Sequence, residues 1–163
     1  MTYRVCFVCT GNICRSPMAE HVFRRHVEDA GLGDVVEVDS AGTGGWHEGD
    51  AADPRTVSVL DENGYTFAHT ARRFRASWFP DLDLVIALDE GHLRELRALA
   101  RTPEEAARIR LLRSYDPAAG DALDVPDPYY GDRRGFEECL ELVEAASGGL
   151  LAAVRLELED RTP

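Results

Sequence analysis

The sequence lacks any apolar run that approaches the length of a membrane span. Its N-terminus leads from Met1 directly into a strand-like segment, without the apolar region of a cleaved signal peptide. Both absences argue against a membrane role, and we expect a cytoplasmic protein. Lysine is also absent, so arginine is the source of all 18 positive charges.

Basic residues are scarce overall, because 30 acidic side chains give the chain a formal net charge of −12. The imbalance is concentrated in residues 116–163, which hold 12 acidic and 4 basic side chains. Such a surface repels the phosphates of a nucleic acid. We therefore expect no nucleic-acid partner.

Cysteines are few, and their spacing argues against a disulfide framework. Cys6, Cys9 and Cys14 are crowded near the N-terminus, and Cys139 is remote from them. Cys6 and Cys9 form a C-x-x-C pair, but residues three apart in a strand point to opposite faces and lie about 10 Å apart. No second C-x-x-C or histidine pair follows. We therefore expect no metal and no cofactor, and we assign Cys6 and Cys139 to core packing.

What the sequence does contain is an alternation of buried-strand and amphipathic-helix patterns. The predicted strands are Tyr3–Cys9, Val35–Ser40, Leu82–Leu88 and Ile109–Leu112. The predicted helices run over Pro17–Ala30, from Pro54 to near Gly64, over Gly91–Ala100 and over Gly135–Leu158, the last kinked or broken at Gly148-Gly149. This order predicts one α/β domain over residues 1–163, with three α/β/α layers around a four-stranded parallel sheet.

The main functional signal is CTGNICRSP at residues 9–17, between the first strand and the first helix. A turn at this place directs backbone N–H groups inward and forms a nest for a tetrahedral oxyanion. Arg15 presents a fork that matches two phosphoryl oxygens, and Ser16 is predicted to cap the helix. Arg15 and the helix N-terminus favour a thiolate at Cys9, the predicted nucleophile. The rest of this predicted phosphate loop is Thr10, Gly11, Asn12, Ile13, Cys14 and Ser16.

A bare C-x5-R spacing also fits a buried structural cysteine followed by an ordinary helix arginine. The preceding strand, Gly11 within the turn and Pro17 in the first helical turn favour the functional interpretation.

The segment CTGNICRSPMAE, together with DPYYGD at residues 127–132, resembles the low-molecular-weight protein tyrosine phosphatases over nearly the whole chain. The resemblance implies that Cys9 becomes a cysteinyl phosphate and that Arg15 stabilises the transferring phosphoryl group. It implies that Asp127 is the general acid and then the base, with Asp132 as a second candidate. Phosphotyrosine-containing proteins or peptides are the implied substrates, and inorganic phosphate is the implied product.

The resemblance also assigns supporting residues. It makes Ser16 a hydrogen-bond partner of the Cys9 thiolate. The other supporting residues are Asn12, Ser40 and His69 as braces of the phosphate loop, Trp46, Tyr129 and Tyr130 as aromatic walls, and Asp53 and Asp89 as loop-supporting carboxylates. Deep aromatic walls would favour phosphotyrosine over phosphoserine. The three braces also have a purely local interpretation, Asn12 as a turn residue, Ser40 as a strand end and His69 as a surface-loop histidine, and the aromatic residues could pack on their own turns.

Two other functions share parts of this pattern. A thiol-linked arsenate reductase needs further cysteines around the third strand, and none occurs between Arg15 and Glu138. A non-catalytic phosphate-binding module would need neither Cys9 nor Asp127, so the presence of both favours an enzyme. A regulatory hypothesis rests on Cys14: a disulfide with Cys9 would protect an oxidised nucleophile, while Cys14 could equally be a packing residue.

Overall fold

The computed structural model describes residues 2–65 and 68–161. The strands are β1 Tyr3–Cys9, β2 Val36–Gly42, β3 Leu84–Ala87 and β4 Ile109–Leu111. The helices are α1 Arg15–Asp29, α2 Pro54–Glu62, α3 Glu90–Leu99, α4 Pro103–Ala107 and α5 Arg133–Arg161. Two 3-10 helices, Ala76–Asp81 and Leu112–Tyr115, precede β3 and follow β4.

All four strands pair in parallel, in the order β2-β1-β3-β4. This confirms the predicted α/β fold with a four-stranded parallel sheet. Strand order reverses between β1 and β3, because the chain first builds outward to β2 and then crosses back over β1. A crevice opens at such a reversal, beyond the carboxyl ends of the strands, and ligands bind there in sheets of this kind.

The two faces of the sheet carry separate apolar cores. Phe7 and Cys9 of β1 belong to the core that includes α1 and α5, whereas Cys6 and Val8 belong to the core on the side of α3. Cys6 and Cys9 therefore point to opposite faces, as their spacing predicts. Cys6 and Cys139 are both buried in these cores, as predicted.

Side-chain caps explain where three of the helices begin. Asp53 caps α2, Asp89 caps α3 and Thr102 caps α4, each accepting a hydrogen bond from a backbone N–H of the first turn. Helix α1 is different. It begins at Arg15, and Cys14 at its N-cap makes no side-chain cap. The prediction that Ser16 caps this helix is wrong, because Ser16 lies inside the first turn and its hydroxyl faces Cys9.

Helix α5 is unbroken from Arg133 to Arg161, so the prediction of a break at Gly148-Gly149 is wrong. The physical reason for glycine differs between the two positions. A Cβ on Gly149 would lie 2.0 Å from the carbonyl oxygen of Tyr115, whereas a Cβ on Gly148 would meet nothing within 4 Å. Gly149 lets the Leu112–Tyr115 segment pack against the helix.

No helix in the described ranges is long and apolar enough to cross a membrane.

Candidate active site

The phosphate loop, residues 9–16, lies at the carboxyl end of β1, beside the point where strand order reverses. A cavity of about 350 Å³ opens over it. The residues that line the cavity are Cys9, Thr10, Gly11, Ile13, Cys14, Arg15, Trp46, His47, Asp127, Tyr129 and Tyr130. Residues from three distant segments thus converge on one cleft. Their convergence depends on the parallel topology.

Cys9 lies at the floor of this cavity and is only 3% exposed. Its sulfur is 2.9 Å from the Ser16 hydroxyl and accepts a longer contact, 3.4 Å, from the Ser16 backbone N–H. The sulfur is therefore accessible only from the cavity, and its hydrogen-bond partners come from the first turn of α1.

Asn12 holds the phosphate loop in its bent form. Its backbone φ is +58°, in the left-handed region that few residues other than glycine adopt, and asparagine is among those that do. The side-chain amide is fully buried and donates to the hydroxyls of Ser16 and Ser40, at 2.8 and 2.9 Å. Its carbonyl oxygen accepts from the Arg72 backbone N–H at 2.9 Å, and the His69 ring donates to the Asn12 backbone carbonyl at 2.6 Å. The structure thus places Asn12, Ser40 and His69 in one network, as the resemblance implies.

These contacts orient the hydroxyl protons. Ser40 accepts from Asn12 and donates its own proton to the buried Glu20 carboxylate at 2.6 Å. Ser16 likewise accepts from Asn12, which leaves its single proton two acceptors, the Cys9 sulfur at 2.9 Å and the Ala41 carbonyl at 3.4 Å, and the sulfur is the nearer of the two. Two donors then face the sulfur, a hydroxyl and a backbone N–H, which suits a thiolate acceptor. Glu20, at the far end of this relay, is a residue that the sequence analysis did not identify.

Arg15 is buried, with only 3% of its surface exposed, and its guanidinium lines the cavity beside the phosphate loop. One terminal nitrogen donates to Asp89 at 2.8 Å and to the carbonyl of Val125 at 2.9 Å. The other, Nη2, faces Thr10 and lies 3.6 Å from Asp127. Burial would raise the pKa of Asp89, but the backbone N–H of His92 and the Arg15 guanidinium lower it by more, so Asp89 stays charged opposite Arg15. The Arg15–Asp89 ion pair holds the guanidinium in place.

His92, which the sequence analysis missed, is the third neighbour of Arg15. Its Nε2 lies 2.8 Å from the Thr10 hydroxyl and 3.4 Å from Arg15 Nη2. Burial first, and then the Arg15 guanidinium, lower the pKa of His92 to about 4, so the ring is neutral at pH 7. Because a guanidinium only donates, Nε2 must be the acceptor and Nδ1 carries the proton. Nδ1 is 3.1 Å from Asp89 Oδ1, yet it finds no hydrogen-bond partner in the described chain.

Asp127 stands at the rim of the cavity, with a side chain 41% exposed. Its Oδ1 accepts from the Tyr129 backbone N–H at 3.1 Å, and its Oδ2 is the atom nearest Arg15. Asp132 does not line this cavity. It lies along a second depression of about 240 Å³, which Asp127 also lines. The placement therefore favours Asp127 over Asp132 as the acid.

Aromatic side chains form the outer wall of the cavity, as the resemblance implies. Trp46 is 77% exposed, Tyr130 is 91% exposed and Tyr129 is 37% exposed. The rings of Tyr129 and Tyr130 pack edge to face, with centroids 5.0 Å apart. His47 adds a fourth ring to the wall and lies so close to Gly11 that a Cβ there would be 2.9 Å from the imidazole. A slot of this kind fits a planar ring.

The structure holds no group of three or more histidine, cysteine or carboxylate side chains within metal-binding reach, among residues 2–65 and 68–161. Asp53 and Asp89 support loops as helix caps. Asp53 accepts from the backbone N–H of Arg55 at 2.8 Å and donates its own backbone N–H to the Ile13 carbonyl at 2.8 Å. The described site is therefore built from a thiol, a guanidinium, a carboxylate and backbone amides.

Comparison with known proteins agrees with this geometry. Residues 4–160 match the family model described as low molecular weight phosphotyrosine protein phosphatase. The chain belongs to this family. It is 74% identical over 162 residues to a low molecular weight protein-tyrosine-phosphatase of Streptomyces coelicolor, with 99% of each chain covered. It is 52% identical over 147 residues to low molecular weight protein-tyrosine phosphatase A of Mycobacterium bovis, covering 90% of this chain and 88% of that one.

A solved structure gives the same result for the fold of this phosphatase-family chain. The crystal structure of a protein tyrosine phosphatase from Entamoeba histolytica, with Hepes in its active site, superposes with a TM-score of 0.90. It is 32% identical in sequence, and the match covers 98% of this chain and 99% of the other.

Four residues in or beside the site gave no usable signal in the sequence: His47 in the cavity wall, His92, Glu20, and Arg55, whose guanidinium binds Asp53. His92 follows Asp89 by three residues in the first turn of α3, where a histidine is ordinarily solvated. Glu20 lies on α1 among apolar neighbours, and only the folded chain brings it to Ser40. An i, i+3 or i, i+4 pattern cannot reveal partners that are tens of residues away.

Proposed function

We propose that this chain hydrolyses phosphotyrosine in proteins or peptides through a cysteinyl-phosphate intermediate, with Cys9 as nucleophile. The observation that carries the proposal is the convergence of the Cys9 sulfur, the Arg15 guanidinium and the Asp127 carboxylate on one cavity at the end of β1. Membership of the phosphatase family supports it independently.

In the first step the Cys9 thiolate attacks phosphorus, and the S–P bond forms as the bond to the tyrosine oxygen breaks. Arg15 and the loop N–H groups bind the equatorial oxygens of the transferring group, where charge develops. Asp127 gives its proton to the departing phenolic oxygen. The protein or peptide leaves with an unmodified tyrosine side chain, and the phosphoryl group remains on sulfur.

In the second step a water attacks the cysteinyl phosphate, and the Asp127 carboxylate takes a proton from that water. The S–P bond breaks, inorganic phosphate leaves and Cys9 returns as a thiolate. Ser16, whose hydroxyl points at the sulfur, stabilises this leaving thiolate. The cycle balances without a metal or cofactor.

The aromatic rim supports phosphotyrosine as the substrate class. Cys9 lies at the cavity floor, and Trp46, Tyr129 and Tyr130 stand above it. A phosphotyrosine side chain extends further from the peptide backbone than phosphoserine does, and it is therefore better suited to a nucleophile that lies beneath an aromatic rim. We place the enzyme in the cytoplasm, because a thiolate nucleophile that opens onto a solvent-filled cavity needs a compartment that keeps thiols reduced.

The test of this function is turnover by Cys9→Ser and Arg15→Lys with a phosphotyrosine peptide. Cys9→Ser should lose turnover and still bind vanadate. Arg15→Lys should also be severely impaired, because an ammonium replaces the two fixed hydrogen bonds of the fork with a point charge. Cys6→Ala, on the opposite face of β1, is the control that should keep its activity.

Two further measurements belong to the same test. EDTA should leave the wild-type rate unchanged, and a phosphoserine peptide of the same sequence should be a poor substrate. Substantial steady-state hydrolysis by Cys9→Ser, or loss of activity on chelation, would contradict the thiol mechanism.

A further inference from the structure

The acid loop, residues 127–131, is closed by its own local contacts. Asp127 accepts from the Tyr129 backbone N–H at 3.1 Å, and the Gly131 N–H donates to the Pro128 carbonyl at 3.0 Å. These contacts shape a turn, but they do not determine where the turn lies relative to the phosphate loop. Asp127 itself is 3.6 Å from Arg15, which is too long for a hydrogen bond. The chain just before the loop is held at Val125, whose carbonyl accepts from Arg15 at 2.9 Å and whose N–H donates to the Leu88 carbonyl at 2.8 Å. Residues 129–131 need a further contact to fix their position.

Arg55, in the first turn of α2, contacts the acid loop at two carbonyl groups. Its Nη2 donates to the Tyr129 carbonyl at 3.1 Å, and its Nη1 donates to the Gly131 carbonyl at 3.2 Å. The guanidinium also lies 4.4 Å over the Phe136 ring and 5.7 Å from the Tyr129 ring. Hydrogen bonds and ring contacts together define both the position and the tilt of the loop.

The same guanidinium is anchored to the phosphate loop through one carboxylate. Arg55 Nε and Nη2 donate to the two oxygens of Asp53, at 3.1 and 3.0 Å. Burial would raise the pKa of Asp53, but its hydrogen bonds from Arg55 lower it by more, so the pair is charged. The Asp53 backbone N–H donates to the carbonyl of Ile13 at 2.8 Å. A continuous path thus runs from Ile13 through Asp53 and Arg55 to the acid loop.

We propose that Arg55 is a positioning residue that fixes the acid loop against the phosphate loop, and so sets the reach of Asp127 to the leaving-group oxygen. This inference rests on the proposed function, because it takes Asp127 as the general acid. Arg55 does not line the cavity and touches no reacting atom. Its effect on the reaction is transmitted through the backbone of residues 129 and 131.

The test compares Arg55→Gln and Arg55→Lys with wild type on aryl phosphates whose phenols differ in acidity. A displaced acid loop costs most where the phenolate needs a proton. For phosphotyrosine or phenyl phosphate, kcat/KM should fall about 10²-fold in Arg55→Gln, the scale of a misplacement of about 1 Å. The nitrophenyl ester should lose much less, so the dependence of kcat/KM on leaving-group acidity steepens. The kcat/KM of Arg55→Lys should lie between those of wild type and Arg55→Gln, because an ammonium cannot hold both carbonyls and Asp53.

Arg25→Gln is the matched control. Arg25 also donates to a backbone carbonyl, that of Gly64 at 2.8 Å, and also lies over a ring, that of Tyr65 at 5.3 Å. It is on α1, away from the cavity, and its variant should keep the wild-type leaving-group dependence. A steeper dependence in Arg25→Gln as well would mean that the effect is a general loss of stability.

Hydrogen exchange gives a readout that does not depend on activity. The Tyr129 and Gly131 amides should exchange faster in Arg55→Gln than in wild type or Arg25→Gln, while the affinity for vanadate stays within about threefold, since the phosphate loop is intact. Unchanged exchange at these amides would overturn the proposal. Arg55→Lys provides the same comparison if Arg55→Gln does not fold.

Asp127→Ala, measured in the same series, separates this proposal from the proposed function. If Asp127→Ala steepens the leaving-group dependence and Arg55→Gln does not, the Arg55 proposal is wrong and the general-acid assignment stands. If Asp127→Ala leaves the dependence unchanged, both are wrong. If both are right, adding Arg55→Gln to Asp127→Ala should cause little further loss, because Arg55 acts through that carboxylate.

Discussion

Asp127 and Asp132 lie five residues apart in the same acidic segment, and the cavity distinguishes them. Only Asp127 lines the cleft, and Pro128 restricts its backbone to an extended form. The side chain is therefore presented to the leaving group on a rigid backbone. Asp132 instead accepts from the Arg134 backbone N–H at 3.1 Å, close to the start of α5.

We expect Asp127→Ala to lower phosphotyrosine turnover by about 10²–10⁴-fold, the usual worth of general acid catalysis. A nitrophenyl ester should be affected less, because its phenolate departs without a proton. Asp132→Ala is the control and should stay near wild type on both esters. Equal losses on the two esters, or a larger loss in Asp132→Ala, would show that another group is the acid.

His92 provides a prediction about pH and stability. Burial and then the Arg15 guanidinium lower its pKa, while the carboxylates of Asp89, Glu95 and Asp127 raise it by less, and the pKa in the folded chain is about 4 against an ordinary value of 6.5. As the pH falls, the unfolded chain protonates His92 before the folded chain does. The contribution of His92 to the free energy of unfolding is therefore fully present above pH 6.5 and is lost as the pH falls from 6.5 to 4. We expect His92→Asn to remove up to about 3 kcal/mol of that pH dependence, at 1.36 kcal/mol per pKa unit.

Urea unfolding at a series of pH values between 7 and 4 measures the His92 contribution. The wild-type free energy of unfolding should fall more steeply over this window than that of His92→Asn. Parallel curves for the two proteins would mean that His92 keeps its ordinary pKa in the folded chain. It would then not face Arg15 as a neutral acceptor.

Cys14 carries the regulatory prediction, which the structure leaves as a hypothesis. Cys9 and Cys14 line the same cavity. Burial, together with the charges of Asp53 and Cys9, raises the pKa of the Cys14 thiol, so it stays protonated and Cys9 is the site that peroxide oxidises. We expect wild type to recover with dithiothreitol after peroxide and Cys14→Ser to recover poorly. Equal recovery, with no Cys9–Cys14 peptide in the mass spectrum, would leave Cys14 a packing residue.

The residues that sequence alone identifies are those whose chemistry is local. The backbone nest, the guanidinium and the thiol all lie within seven consecutive positions, Cys9 to Arg15, so the motif can be recognised without the fold. His92 and Arg55 cannot be recognised in this way. The partner of His92, Thr10, is 82 residues away, and the partner of Arg55, Tyr129, is 74 residues away. Ser16 misled for a related reason: a serine before a helix usually caps it, but here the Cys9 sulfur and Asn12 amide are its partners.

At the scale of the helix, the adjacent glycines of α5 form a matched pair. Gly148 is exposed with open space around its Cα, and Gly149 faces the Tyr115 carbonyl. We expect Gly148→Ala to raise the free energy of unfolding by about 1 kcal/mol, the helix propensity difference. Gly149→Ala should instead lower it by about 1–3 kcal/mol, as overpacking does.

Thermal or urea unfolding of the two alanine variants decides this prediction. The two changes have the same effect on propensity, so their difference reports the contact with Tyr115 alone. Stabilisation by both would show that the Leu112–Tyr115 segment moves aside without cost.

The elements that sequence analysis missed share a physical cause. Helix α4 has 5 residues and the 3-10 helices have 6 and 4, too few for a periodic apolar pattern. The long elements were predicted to within a few residues, because buried strands and amphipathic helices span enough positions to show their period. Gly148-Gly149 was misread because a helix breaker and a close-packing glycine look identical until the neighbour is known.

At the scale of the whole molecule, the order β2-β1-β3-β4 is what makes a site out of three segments. The reversal between β1 and β3 brings the phosphate loop beside Asp89 and His92 at the start of α3, and residues 125–130 close over both. Alternating strand and helix patterns predict the parallel sheet, but they do not specify strand order. That order, and with it the partners of Arg15, requires the folded chain.

The central claim is that phosphate passes through Cys9. Its most direct measurement is rapid quenching of the enzyme during turnover of a phosphotyrosine peptide, followed by mass spectrometry of the intact chain and its peptides. We predict one phosphoryl group per chain, carried on the sulfur of Cys9 and absent in Cys9→Ser. It should accumulate whenever hydrolysis of the intermediate is slower than its formation. A phosphoryl group found on another residue, or one that persists in Cys9→Ser, would contradict the account.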